Sequence, residues 1–171
     1  MSVLLYFFIA IFVIAVDQIS KYLVVEYLMP ISSFPIIKDV LHLTYVENRG
    51  AAFGMLQNHR WVFMIISSVM LVVLIIVMIK HKKHLHPIMN IGLSFVFGGG
   101  IGNMIDRTLL GYVVDFIDFT LIDFAVFNIA DTFICVGVGL LILDIILKKS
   151  DLSFLDNDNS NKDTKNETNT Y

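Results

Sequence analysis

The 171-residue chain is 57% hydrophobic and 16% charged, and its formal net charge is -3. This composition, with a mean hydropathy of +0.78, is typical of a membrane protein and excludes an ordinary soluble domain. The single cysteine, Cys135, excludes an internal disulfide framework and a cysteine-rich metal site. Because Cys135 lies deep in an apolar run, we expect it to be a small, inert packing residue.

Four apolar segments, each near the roughly 20 residues that span a bilayer, predict four transmembrane helices. They run approximately from Val3 to Tyr27, from Trp61 to Ile79, from Pro87 to Ile105 and from Ala125 to Leu147. The first leads into the polar sequence DQISK and not into a small-residue cleavage site, so we interpret it as a retained span. The basic loop KHKKHLHP and the pair Lys148-Lys149 predict that both termini are cytoplasmic.

The segments between the spans predict a small extracytoplasmic sheet on a membrane all-α bundle. LHLTYV alternates in polarity from Leu41 onwards, and VVDFIDF reads either as a strand or as a helical turn, of which we favour the strand. GMLQNHRW is typical of a short interfacial helix. We assign residues 1–149 to the membrane domain and residues 150–171 to a polar cytoplasmic tail, which cannot bury a core and is expected to be disordered.

Polar residues recur at one depth near the outer ends of two spans. Asn103 and Asp106 are three apart in span three, and Asn128 and Asp131 are three apart in span four, so each pair shares a helix face. Interhelical hydrogen bonding explains one such pair. Two pairs at matched depth, with Asp115 between them in the sequence, favour a site, because carboxylates in apolar surroundings are costly and usually functional.

Other motifs allow two interpretations each. Asp17 and Lys21 form an i,i+4 ion pair or contribute Asp17 to a substrate site. The position of Arg107 beside Asp106 at the membrane interface favours a structural role for Arg107 over a catalytic one. In ENRGAAFG, Gly50 permits a tight turn, and Asn48 beside it is placed to hydrogen-bond an extended peptide. The glycine run at 98–102 predicts close helix packing.

Elimination leaves acid-base hydrolysis by Asp115 and Asp131 as the most credible chemistry. The histidines at 81, 84 and 86 lie in the basic loop, which lacks the HExxH pattern of a zinc site, so we expect no metal. A small proton-coupled transporter also places aspartates in spans, and a non-catalytic assembly factor is a third possibility. The gathering of acidic residues near one face favours an enzyme.

Five motifs together resemble the lipoprotein signal peptidases, also called type II signal peptidases. They are DQISK at 17–21, NRGAAFG at 48–54, GGGIGNMIDR at 98–107, VVDF at 113–116 and FNIAD at 127–131. They occur in the family's order over residues 1–147. The resemblance implies a bacterial inner-membrane aspartic endopeptidase with four transmembrane helices and an extracytoplasmic β-cradle.

The resemblance also implies the details of the activity. The family cleaves prolipoproteins just before the Cys that carries a diacylglyceryl group, uses no metal or cofactor, and is blocked by the cyclic peptide globomycin. Its catalytic dyad corresponds to Asp115 and Asp131. With a substrate that carries lipid, the resemblance also suggests that Ala130 and the glycines at 98–102 leave room for acyl chains. Supporting roles in the matching motifs fall on Asp17, Asn48, Gly50, Asn103, Asp106, Arg107, Asn128 and Ala130. We accordingly expect a monomer with a lipidated prolipoprotein substrate, contact with membrane lipids, no nucleic-acid partner and an active site near the extracytoplasmic face.

Overall fold

A computed structural model describes residues 3–50, 60–80 and 85–147. Within these ranges the chain forms four α-helices: α1 (Val3–Leu23), α2 (Arg60–Lys80), α3 (Pro87–Leu109) and α4 (Ile129–Ile146). The same ranges contain three strands: β1 (Ser33–Ile37), β2 (Leu41–Asn48) and β3 (Val113–Asp118). The interfacial helix predicted for GMLQNHRW, most of the basic loop and the polar tail fall outside the described residues, apart from Arg60 and Trp61, which begin α2.

The helices have apolar outer surfaces, and several polar and charged residues are buried inside the protein. Among the described residues, three helical segments are long and apolar enough to cross a membrane: Leu4–Ile31, Pro87–Leu109 and Ile129–Ile146. The apolar part of α2, Met64–Lys80, is shorter. Large side chains such as Phe8 and Ile65 are exposed, whereas Asp17, Asn103 and Asp115 are buried. This inverted polarity is what a lipid solvent requires, because polar groups in hydrocarbon need partners inside the protein.

Two helix boundaries differ from the predicted ones. Helix α3 continues past Ile105 to Leu109, so it carries Asp106 and Arg107. Helix α4 begins at Ile129 and not near Ala125, because Asn128 caps its first turn. The residue before the cap, Phe127, is extended and pairs with Ile117 of β3. Hydropathy alone does not distinguish a buried extended segment from the start of a helix.

The capping geometry also corrects the interpretation of Asn128 and Asp131 as two residues on one helix face. Asn128 lies outside the helix, and its side-chain oxygen accepts a hydrogen bond from the backbone N–H of Asp131 at 2.9 Å. The Asp131 carboxylate accepts in return from the backbone N–H of Asn128 at 3.3 Å. This reciprocal pair is a capping box, with Asp131 at its third helical position.

The glycines of α3 permit close packing against the helices on either side. A side-chain carbon on Gly98 would meet the backbone oxygen of Ala10 at 2.8 Å, and one on Gly99 would meet the backbone oxygen of Ala130 at 2.5 Å. The Asp17 carboxylate occupies the same position beside Gly102. The packing role predicted for these glycines is therefore confirmed, and the space suggested for acyl chains is filled by α1 and α4.

The close approach of α3 to α4 predicts that Gly99→Ala destabilises the protein. The new methyl group has no room beside the Ala130 backbone, and such overpacking costs about 1–3 kcal/mol. Gly139→Ala is the matched control, because no atom of the described residues lies within 4 Å of the position of its added methyl group. Thermal unfolding in detergent should show a lower melting temperature for Gly99→Ala alone. Equal melting temperatures would contradict the packing described.

The described strands form an antiparallel sheet in the order β1-β2-β3. Strands β2 and β3 confirm the strand interpretation of LHLTYV and VVDFIDF, and β1 was not anticipated. The sheet rests on the end of α1, where Val114 and Phe116 pack against Val24 and Leu28 of a π-helical turn at Val24–Leu28. This contact fixes β3, and with it Asp115, against the helix bundle.

Candidate active site

Asp115 and Asp131 line the same cavity, which has a volume of about 540 Å³. Its polar lining consists of these two carboxylates with Asn48, Asn103 and Arg107. Its other walls are largely apolar and come from Val113, from the extended segment 124–127 and from α4 through Thr132, Cys135 and Val136. The cavity thus joins a polar pair of acids to a surface suited to hydrocarbon.

An irregularity in the sheet places Asn48 beside Asp115. Leu43 pairs with Ile117, but Val46 pairs with Asp115, so Thr44 and Tyr45 together oppose Phe116 in a β-bulge. Because successive strand residues alternate between faces, the one-residue shift puts Asn48 on the same face as Asp115. Without the bulge, Asn48 would point to the opposite face.

The Asn48 amide is oriented by the turn that follows β2. Its Oδ1 accepts a hydrogen bond from the backbone N–H of Gly50 at 3.0 Å, which leaves Nδ2 to donate to Asp115 Oδ2 at 2.8 Å. The predicted supporting role of Gly50 thus has a structural basis in its buried backbone amide. The structure thus shows Asn48 as a hydrogen-bond donor to the Asp115 carboxylate, and the peptide contact suggested by the sequence stays a prediction.

Two asparagines each donate a hydrogen bond to one of the two carboxylates. Asn103 of α3 donates through Nδ2 to Asp131 Oδ1 of α4 at 2.7 Å. Asn128, at the cap of α4, donates through Nδ2 to Asp115 Oδ1 of β3 at 2.6 Å. The Asn128 amide also reaches Asn103 Oδ1 at 3.1 Å. Both aspartates are therefore held by neutral donors on neighbouring elements, and each amide orientation is determined by its partners.

The environment of Asp115 favours a carboxyl group that keeps its proton near neutral pH. Burial raises the pKa of Asp115 to about 7, and the nearby charge of Asp131 acts in the same direction. Hydrogen bonds from Asn48 and Asn128 and the positive charge of Lys21 act in the opposite direction. A buried carboxyl group with a raised pKa in a cavity, beside a second carboxyl group, is typical of acid-base sites.

Several predicted site residues lie behind the cavity. Asp17 and Asp106 are buried and contact the ammonium of Lys21, each at 3.0 Å. The ion-pair interpretation of Asp17 and Lys21 is therefore the one the structure supports. Ala130 is fully buried, and its backbone N–H donates to Asp17 Oδ1 at 3.0 Å. These residues support the site from behind.

Arg107 lies on the cavity side of α3, although Asp106 beside it faces Lys21. Adjacent helical residues diverge in this way because they are separated by about 100° around the helix axis. One Arg107 nitrogen lies 3.5 Å from the backbone oxygen of Asn103. The guanidinium therefore places a positive charge at the polar lining, near both carboxylates of the cavity.

Two features of the site were missed or wrongly assigned from the sequence. Cys135 is exposed and lines the cavity, so the expectation of a buried packing residue is wrong. The error arose because hydropathy cannot tell which side of a uniformly apolar helix faces a cavity. The segment from Ala125 to Phe127, which the sequence places in the fourth span, precedes the helix, although Asn128 three residues before an aspartate is a capping signal. Across the described ranges, no three His, Cys, Asp or Glu side chains converge in a way that could hold a metal ion.

The fold and the cavity define an integral-membrane protein with a paired-carboxylate site. The profile of the family described as Signal peptidase (SPase) II matches residues 9–147. The chain belongs to this family. It is therefore a multi-pass bacterial membrane protease of the lipoprotein signal peptidase type, which favours the peptidase over the transporter and assembly-factor alternatives.

Individual relatives agree with the family assignment. The lipoprotein signal peptidase of Brevibacillus brevis is 51% identical over 142 residues, which cover 83% of this chain and 95% of that protein. The one from Caldanaerobacter subterraneus is 56% identical over 130 residues, or 76% of this chain and 88% of that protein. A solved structure described as a bacterial membrane enzyme has a TM-score of 0.76 at 38% identity and covers 85% of this chain and 89% of its own.

The two contacts of Asn128 predict separable effects on stability and activity. Asn128→Ser keeps the helix cap but is too short to donate to Asp115, whereas Asn128→Ala loses both. Both variants should lose roughly 10–100-fold in cleavage rate, the worth of a hydrogen bond to a charged group. Only Asn128→Ala should also lose about 1 kcal/mol of stability. Rates come from cleavage of a lipidated peptide and stabilities from thermal unfolding. Full activity in Asn128→Ser would show that the amide donor is dispensable.

Proposed function

We propose that this protein is an aspartic endopeptidase that removes the signal peptide from diacylglyceryl-modified prolipoproteins by cutting just before the lipidated Cys. Family membership supports action on prolipoproteins. The observation that carries the aspartic assignment is the placement of Asp115 and Asp131 on one cavity, each hydrogen-bonded by an asparagine. The apolar walls of that cavity support a substrate that carries lipid chains.

The proposed chemistry uses one proton shared by the two carboxyl groups. The ionised carboxylate takes a proton from water, and the resulting hydroxide attacks the carbonyl carbon of the scissile peptide. The protonated carboxyl group donates to the carbonyl oxygen as the tetrahedral intermediate forms. The first carboxyl group then passes the proton it took from water to the leaving nitrogen, and the second takes back a proton from a hydroxyl group of the intermediate. The C–N bond breaks, and the products are a carboxylic acid and a free amine. Two carboxyl groups in one apolar site are suited to this sequence because they do not both ionise readily.

The remaining polar groups have roles that follow from their contacts. Asn48, Asn103 and Asn128 orient the carboxylates through the hydrogen bonds described above. Arg107 is placed to hold a carbonyl group of the substrate, because its guanidinium can only donate. The exposed side chains of Thr132, Cys135 and Val136 on α4 would lie along the acyl chains.

The proposed topology has four spans with both termini in the cytoplasm. The basic loop after α2 and the lysines after α4 support this orientation. The sheet and the dyad would then lie at the extracytoplasmic face of the bacterial inner membrane, where a secreted precursor is presented. Residues 1–149 would form the catalytic domain, acting as a monomer, and residues 150–171 a tail without a part in catalysis.

Substitution of either aspartate tests the dyad. Asp115→Asn and Asp131→Asn should each reduce cleavage of a lipidated peptide by about 10²–10⁴-fold or more, because each removes an acid-base group. Asp118→Asn is the matched control in the same strand, since its carboxylate contacts Thr44 and does not line the cavity. Asp123→Asn is a second control with an exposed side chain. Normal cleavage by a folded Asp115→Asn or Asp131→Asn protein would disprove the dyad.

The pH dependence follows from the environment of Asp115. Since its pKa is raised to about 7, the pair holds its shared proton below that pH and loses it above. We therefore expect kcat/KM for a lipidated peptide to fall as the pH rises through about 7. A rate that stays constant between about pH 6 and 9 would contradict a protonated carboxyl group in the mechanism.

A further inference from the structure

We propose that Lys21 is a positioning residue whose buried ammonium fixes the geometry of both catalytic aspartates and controls how tightly they hold their shared proton. The inference rests on the proposed aspartic dyad, and it assigns to Lys21 a role in the reaction beyond its ion pair with Asp17. Lys21 lies in α1, a helix that contributes no side chain to the cavity lining.

The ammonium of Lys21 uses all three of its hydrogen-bond donors on two carboxylates behind the cavity and on one amide that lines it. Nζ lies 2.9 Å from Asn103 Oδ1, 3.0 Å from Asp17 Oδ2 and 3.0 Å from Asp106 Oδ2. The side chain is only 4% exposed. A fully coordinated buried ammonium has one position, so its three partners are held at fixed distances from one another.

The two carboxylate partners of Lys21 each hold a segment that carries one catalytic residue. Asp106 Oδ2 accepts a hydrogen bond from the backbone N–H of Val114, the residue before Asp115, at 3.1 Å. Asp17 Oδ1 accepts from the backbone N–H of Ala130, the residue before Asp131, at 3.0 Å. The two carboxylates bound to one ammonium therefore fix the backbone beside both members of the dyad.

The third partner links Lys21 to the dyad side chains themselves. Because the Asn103 oxygen accepts from Lys21, its amide nitrogen must face Asp131, to which it donates at 2.7 Å. The same oxygen accepts from Asn128, whose amide donates to Asp115. An i,i+4 ion pair that only stabilised α1 would not need these connections to three other elements.

The charge of Lys21 also affects how tightly the dyad holds its protons. Asp115 is faced by Asp131 of α4, by Arg107 of α3, by Lys21 of α1 and by the neutral amides of Asn48 and Asn128. Together with Asp17 and Asp106, these described groups comprise four carboxyl groups and two cations, so the site carries three negative charges against two positive ones while the dyad holds its shared proton. Removal of the Lys21 charge leaves the site more negative, so the dyad binds its protons more tightly.

Three variants that retain both catalytic aspartates test this role, with kcat measured against pH on a lipidated peptide in detergent. Lys21→Met has a side chain of similar length and no charge. In this variant both limbs of the profile, the rise of kcat on the acidic side and its fall on the alkaline side, should move to higher pH by about one unit. We also expect at least a tenfold loss of kcat. Lys21→Arg keeps the charge and should leave the limbs in place. In Asp106→Asn, which removes a negative charge beside Lys21, both limbs should move to lower pH.

Opposite shifts in Lys21→Met and Asp106→Asn would support the proposal, because a purely structural contact changes the rate without moving the profile in two directions. An unmoved profile in folded Lys21→Met would overturn it. If Lys21→Met does not fold, an unmoved or raised profile in Asp106→Asn overturns it instead. These outcomes do not bear on the dyad, whose failure would appear as activity in Asp115→Asn or Asp131→Asn.

Discussion

The hydrogen bond from the Asn128 amide to Asp115, at 2.6 Å, is the contact on which the site depends. It joins the cap of α4 to a strand outside the bundle and so brings together two carboxylates that are sixteen positions apart in the chain. The same residue closes the capping box with Asp131. The Asn128 side chain therefore determines where α4 begins, orients Asp131 and donates a hydrogen bond to Asp115.

That contact requires close packing on both sides. The glycines of α3 let α1 and α4 approach until backbone and carboxylate atoms occupy the space of the missing side chains. The bulge in β2 turns Asn48 toward Asp115, and the packing of Val114 and Phe116 on the end of α1 holds β3 in place. The glycines and the irregular backbone lie at this point, because a buried polar group without a hydrogen-bond partner is costly.

Much of this arrangement was accessible from the sequence. Asp115 and Asp131 were identified because a carboxylate in apolar surroundings is costly, and the strands containing Leu41 and Asp115 were identified from their alternating pattern. The boundary at Asn128 was not, because a run such as FAVFNIA is equally apolar in an extended or a helical conformation. The contacts of Lys21 with Asn103 and Asp106 and the exposure of Cys135 to the cavity were also hidden, since hydropathy gives the depth of a residue in the membrane but not the direction its side chain faces. Those directions are set by contacts between elements far apart in the chain, such as Lys21 with Asn103.

We propose that one cavity brings a peptide bond to both carboxylates while its apolar walls hold the attached lipid. A crystal structure of Asp131→Asn with a bound lipidated peptide tests this most directly, since the variant should bind without cleaving. We expect the scissile carbonyl within about 3 Å of the Asp115 carboxyl group and the substituted side chain, with the acyl chains along Thr132 and Val136. A peptide bond seated beyond reach of both side chains would contradict the account.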